Sequence, residues 1–177
     1  MAIITGGKII EGVYYGLTSA GVPGVGTAEV QTITIGGTPT GGDFKLTFEG
    51  FTTAAIPWNA TNATLIASID AALEALPNIG TGGVTTAVGT MTAGIGTATV
   101  TFAGNLANKA VSTMTVANNS LTGTSPTVAV AETTPGVDAS NRGAPVGAIV
   151  TDVTNGKAYI NTGTALVPVW TVVGAQT

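Results

Sequence analysis

Gln31-Thr32-Ile33-Thr34-Ile35 and Phe44-Lys45-Leu46-Thr47-Phe48 decide the fold class of this chain. In each run, apolar residues at every second position alternate with polar ones, the pattern of a half-buried strand. Thr at the outward positions suits a pleated surface, because its branched Cβ fits extended backbone. Between the runs, Gly36–Gly42 reads as a long turn, and Gly50 ends the second strand. The same alternation recurs downstream. Val84–Val88 is a short strand, Ala98, Val100 and Phe102 alternate with Thr, and so do Met114 and Val116. Val128 and Val130 lie in a further strand over Thr127–Ala131. Gly104-Asn105-Leu106 and Asn118-Asn119-Ser120 read as turns.

One segment has the other period. Leu65, Ile66, Ile69, Ala72, Leu73 and Leu76 fall on one side of a helical wheel. Asn62 is placed to cap this helix and Pro77 to stop it, so it spans about residues 62–76. The expected fold is therefore mainly β with one helix (α+β). An antiparallel sheet or sandwich is covered by a single amphipathic helix, with a small β module at the C-terminus.

Glycine and proline divide the chain. Residues 1–26 carry apolar side chains interrupted by Gly, and run into Gly21-Val22-Pro23-Gly24-Val25-Gly26, a hinge. This segment is either a first strand completing the chain's own sheet or an arm docking on a neighbouring subunit. The arm is the reading adopted. Residues 27–136 form the main β-rich domain, 137–144 a linker, and 145–177 a C-terminal module. In that module, Ile149–Thr154 and Lys157–Asn161 flank Asn155-Gly156, a hairpin signal whose two residues both accept positive φ. Val167–Val173, containing Trp170, is its third strand. So few residues make a poor independent core.

Composition narrows function by exclusion. The 177 residues include five Lys and Arg, nine Asp and Glu, and no His or Cys, while Thr, Ala and Gly fill about half the chain. There is thus no imidazole base, no thiolate nucleophile and no zinc site of the usual kind. Five cations cannot neutralise a phosphate track, so nucleic acid is not an expected partner. No run approaches the ~20 apolar residues of a membrane span, and residues 1–10 do not read as a signal peptide. With only 8% charged residues, the surface must be largely Thr, Ala, Gly and Asn. Neighbours are weakly repelled by such a surface, which suits a chain packed in an assembly.

The remaining polar groups suggest no chemistry. Asp70 and Glu74 are spaced for one helix face, but on its polar side, where a solvated role is expected. Asp152-Val153-Thr154-Asn155-Gly156 lacks the alternating ligands of a calcium loop and reads as a hairpin turn. Gly7-Lys8 and Gly156-Lys157 lack the rest of a phosphate loop. Trp58 and Trp170 read as core or interface anchors rather than sugar platforms. No enzyme activity, catalytic residue, metal or cofactor is expected.

The central segment resembles a module of tailed-phage virion proteins, especially those of actinobacterial phages. The resemblance rests on Gln31–Ile35, Phe44–Gly50, Thr52-Thr53 with Ile56 and Trp58-Asn59-Ala60, and Ile69–Ile79. It continues through Thr99–Ala107 and Leu121–Val128. Gly147–Gly163 with Trp170–Val173 is similar to a second module found at the ends of phage head and fibre proteins. Among such proteins, the chain is most similar to capsid decoration, or minor capsid, proteins. That resemblance implies a virion component on the capsid surface, made in the host bacterial cytoplasm. Its partners would be the major capsid protein and further copies of itself, as a homotrimer, with neither nucleic acid nor membrane. The alternatives are a tail-tube or tail-tip structural protein, or a carbohydrate-binding adhesion module. The residues expected at the oligomer or capsid interface are Ile3, Ile4, Ile9, Ile10, Tyr14, Tyr15, Tyr159 and Trp170.

Overall fold

The computed structural model describes residues 8–10, 13–18, 25–139, 143–152 and 154–174, the first two segments by their backbone. Its strands are β1 (Lys8–Ile10), β2 (Val13–Thr18), β3 (Val30–Gly41), β4 (Asp43–Phe48), β5 (Phe51–Thr52), β6 (Ile56–Pro57), β7 (Val84–Val88), β8 (Gly96–Phe102), β9 (Thr115–Asn119), β10 (Thr122–Thr134), β11 (Ile149–Asp152), β12 (Lys157–Asn161) and β13 (Trp170–Val172). A helix, α1, spans Asn62–Glu74. The chain divides into two compact units, residues 28–136 and residues 1–27 together with 137–177.

In the unit of residues 28–136 all strand pairs are antiparallel. One sheet has the order β10-β3-β8-β7, and in the other β4 lies between β9 and the two short strands β5 and β6. The alternation seen in the sequence is the alternation of burial: Ile33, Ile35, Phe44, Leu46, Phe48, Ala98, Val100 and Phe102 are all buried. The Phe48 and Phe102 rings, one from each sheet, lie 5.1 Å apart at a tilt of 34°. Leu65, Ile69 and Leu73, one helical turn apart, add the face of α1 to the same core. Each such side chain contributes roughly 1.5–3 kcal/mol by leaving water.

Local expectations change in several places, among them Asn118 and Asn119, expected in a turn, which instead pair with β4 as the end of β9. The segment expected as a turn, Gly36–Gly42, is strand as far as Gly41. The chain passes from one sheet to the other at Gly42, where φ is +85° and a Cβ would lie 2.2 Å from the Ser120 carbonyl oxygen. Likewise, the run expected over Thr127–Ala131 extends to the thirteen residues of β10. Asn62 is not the helix cap. Thr61 holds that position without a side-chain bond, and Asn62 instead fastens a loop, donating to the Met91 carbonyl (2.7 Å) and accepting from Gly94 N–H (2.8 Å). Finally, the two-residue hairpin with both φ positive is Glu49-Gly50, at 46° and 86°, between the paired Phe48 and Phe51.

The second unit joins the two ends of the chain. Its sheet has the order β1-β2-β11-β12-β13. β2 runs parallel to β11, with Tyr15 opposite Ile149 and Leu17 opposite Thr151, whereas the other pairs are antiparallel. The N-terminal segment expected as a docking arm thus supplies two strands to its own chain's C-terminal module. The borders expected at 26/27 and 136/137 lie at or next to those of the unit of residues 28–136, and the segments on either side of it belong to one unit. Ala144, Ala148, Val150, Tyr159 and Trp170 form the buried apolar cluster among the described residues. The β11–β12 loop holds four residues, since Asp152 pairs with Lys157. Gly156 has positive φ, but Asn155 does not. The Asp152 carboxylate shapes this loop, accepting from Thr154 N–H (2.9 Å), Asn155 N–H (3.2 Å) and the Asn155 side chain (2.7 Å).

Candidate interaction surfaces

The residues expected at an interface fall into three groups. Ile3 and Ile4 lie outside the described residues. The backbones of Ile9, Ile10, Tyr14 and Tyr15 are engaged in β1 and β2, with Ile9 opposite Tyr14. Tyr159 and Trp170 are core residues, 2% and 7% exposed, so neither ring offers a face to a partner or a sugar. Trp58 is half-buried against the core, and its indole N–H donates to the Gly94 carbonyl (2.9 Å).

The two helix carboxylates are not a solvated pair. Asp70 accepts a bond from the backbone N–H of Thr86 on β7 (2.8 Å), and Glu74 accepts one from Gly82 N–H (2.6 Å). Both act as fasteners between α1 and the chain that follows it. Hydrogen bonds to charged groups contribute about 1.5–3 kcal/mol each. Asp70→Ala should therefore lower the stability of this unit by roughly 2 kcal/mol, read as a lower urea midpoint. Asp70→Asn keeps an acceptor and should lose about half as much.

What the fold presents outward is an uncharged sheet face. Paired strand residues share a face, so the ladder can be read across the sheet. One row runs Ala131, Thr32, Thr99, Ala87, and the next runs Ala129, Thr34, Thr97. These rows alternate with the buried Ile33, Ile35, Ala98 and Val100 and so form the side away from the core. No Asp, Glu, Lys or Arg stands in them. The second unit exposes apolar side chains as well, among them Val146 (69%), Val169 (44%) and Val172 (41%).

The two edges of this sheet differ. Phe102 N–H donates to the Glu29 carbonyl (3.0 Å), which makes Glu29 and Phe102 a hydrogen-bonded pair. Antiparallel pairs alternate between bonded and non-bonded, so Gln31, Ile33 and Ile35 bond toward β8, while Thr32, Thr34 and Gly36 bond toward β10. Hence Thr127, Ala129 and Ala131 turn their backbone groups inward to β3, and Val128, Val130 and Glu132 turn theirs outward. On the opposite edge, Gly89 N–H donates to the Thr97 carbonyl (2.8 Å), so odd residues of β7 bond inward and Thr86 faces out. Asp70 occupies that outward N–H. No described group occupies the outward positions of Val128, Val130 or Glu132. Alternating Val128 and Val130 in a run with no Lys marked this strand in the sequence, but an edge cannot be told from an interior strand without the pairing order.

Comparison with known proteins returns little. No family model and no curated protein matches the chain. One solved structure that resembles it comes from Mycobacterium phage Patience, with 15% identity and a TM-score of 0.42, over 85% of this chain. The likeness spans 57% of that protein's chain.

Proposed function

We propose that this protein is a structural component of a tailed-phage virion, a capsid decoration protein that cements the head. The observation that supports this most is the uncharged Thr and Ala face on the four-stranded sheet, backed by a continuous core. Covering such a face requires no desolvation of charge, so contact with a protein shell costs little beyond ordering. The resemblance of residues 31–79 and 99–128 to phage virion modules supports a phage head as that shell. Many copies on one shell act together, so modest contacts add up through avidity. The copies would bind the major capsid protein and one another, as a trimer by the resemblance, with no catalytic step.

The test is rebinding of purified protein to heads that lack it. Bound copies should raise the temperature at which heads release DNA. Thr34→Lys with Thr99→Lys places two charges on the face without touching the core. Occupancy of the double variant should fall about tenfold or more, equivalent to at least ~1.4 kcal/mol. Full occupancy and full heat protection by that variant would remove the face from the mechanism. Labelled copies found on tails instead of heads would favour the tail-tube or tail-tip reading.

A further inference from the structure

We infer that the outer edge of β10 joins two copies of this protein, strand against strand, across a two-fold axis at Ala129. The inference does not depend on the capsid reading, because it follows from the edge alone. An open edge templates another strand unless Lys, Pro, bulges or a covering element blunt it. Here Asp70 takes the outward Thr86 N–H of β7, while in β10 Pro126 and a register shift precede Thr127 and another shift follows Glu132. Between them, Thr127–Glu132 runs in unbroken register with β3, and its outward donors and acceptors are unoccupied among the described residues.

The occupant is a second copy because the edge is complementary to itself. In an antiparallel pairing centred on Ala129, Val128 of each copy faces Val130 of the other. Both residues direct N–H and C=O outward, so the two pairs exchange four backbone bonds. Glu132 then lies opposite Pro126, whose carbonyl already accepts from the Asn119 side chain (3.1 Å) and whose missing N–H ends the ladder. The single charge of the strand, Glu132, sits at opposite ends of the pairing, roughly 20 Å from its copy at ~3.4 Å per residue. Centring on Val128 would set Pro126 against Val130 and lose a donor. Centring on Val130 would bring the two Glu132 residues closer and replace the valine pairs. Val128 and Val130 are half-buried against the core, and pairing would cover the rest of both. The result is an eight-stranded sheet shared by two chains. Two-fold contacts of this kind are the commonest route to oligomers. If the copies also form trimers through another surface, these contacts would link the trimers into a net.

The chain has no Cys, so one introduced cysteine reports on one position. Ala129 would face its own copy in a non-hydrogen-bonded pair, where Cα atoms stand about 4.5 Å apart, within disulfide reach. Under mild oxidation of the full chain, Ala129→Cys should form a disulfide dimer at least about tenfold faster than Ala87→Cys, on the closed side of the sheet. Val130→Pro removes an outward N–H and no internal bond, and should halve the solution mass while the thermal transition persists. Should Val130→Pro fail to fold, Ala129→Lys sets two cations face to face. It should also dissociate the pair, and mixing with Ala129→Glu should restore it. Wild-type protein running as a monomer at every concentration would overturn the inference. So would equal cross-linking at positions 129 and 87, or a trimer unchanged by Ala129→Lys. The last result would leave the capsid reading intact.

Discussion

Asn161→Ala should unfold the unit built from the chain ends while the unit of residues 28–136 stays folded. Asn161 is 1% exposed and lies at the end of β12. Its amide donates to the carbonyls of Ala144 (2.8 Å) and Pro145 (3.2 Å), and its oxygen accepts from Gly163 N–H (2.9 Å) and Val169 N–H (2.9 Å). One side chain thus fixes the approach to β11 and both ends of the loop that leads to β13. Removing it loses four bonds at about 1 kcal/mol each and leaves backbone groups without partners, roughly 4 kcal/mol in all. The apolar cluster it supports has five described residues, too few to absorb that loss. Calorimetry should show one transition shifted strongly down and one unchanged. Limited proteolysis should leave a fragment of residues 28–136. Asn161→Asp should be nearly as harmful, since it replaces a donor with an oxygen facing two carbonyls. A single unshifted transition in Asn161→Ala would refute the assignment.

Gln31→Leu should do comparable damage to the other unit. Gln31 is fully buried on β3 and donates to the Glu29 carboxylate (2.5 Å) and the Ser112 carbonyl (3.1 Å). Its oxygen accepts from Met114 N–H (2.8 Å), and the other Glu29 oxygen accepts from Val111 N–H (2.8 Å). The pair therefore straps the irregular stretch ahead of β9 onto the sheet. Leucine fills similar volume but leaves a buried carboxylate and a buried N–H short of partners, at about 1–3 kcal/mol for each, more for the charge. A loss of roughly 4 kcal/mol in denaturant unfolding is expected. Amide exchange should accelerate first at Val111 and Met114. Gln31→Glu, which cannot donate to Glu29 when ionised, should be at least as harmful. A variant within ~0.5 kcal/mol of wild type would contradict the strap.

The core strands and the helix could be read from residue type because burial alone sets their pattern. Ile33, Phe44, Leu46, Val100 and Leu73 are buried where their spacing placed them. Asn155-Gly156 misled because the signal assumes a two-residue loop, whereas Asp152 organises a four-residue one. Glu49-Gly50 makes the tight turn with a residue type that seldom takes positive φ, so residue type gave no warning. Tyr159 and Trp170 looked like surface anchors because the C-terminal run alone seemed too small to bury them. The strands that complete its sheet come from residues 8–18, far away in sequence. Long-range pairing is also what hid the buried Gln31 and Asn161, whose partners lie up to 83 and 17 positions distant. Gln31 shares the parity of Ile33 and Ile35, so the alternation puts it on the buried side, but the groups that satisfy it there can be named only from the pairing.

The parallel contact between β2 and β11 has a consequence for synthesis. Residue 149 leaves the ribosome 131 residues after residue 18, so at ~10 residues per second the N-terminal strands wait roughly 13 s for their neighbour. Residues 28–136 are contiguous and need nothing from later chain to complete their own sheets. Once they fold, Thr27 and Val137 are held by two mutual backbone bonds of 2.9 Å, and the long loop between the chain ends is in effect already closed. The inserted unit therefore acts as a timer and a clasp for the outer one. Slowing its folding would lengthen the interval in which Ile9, Ile10 and their neighbours remain open to chaperones.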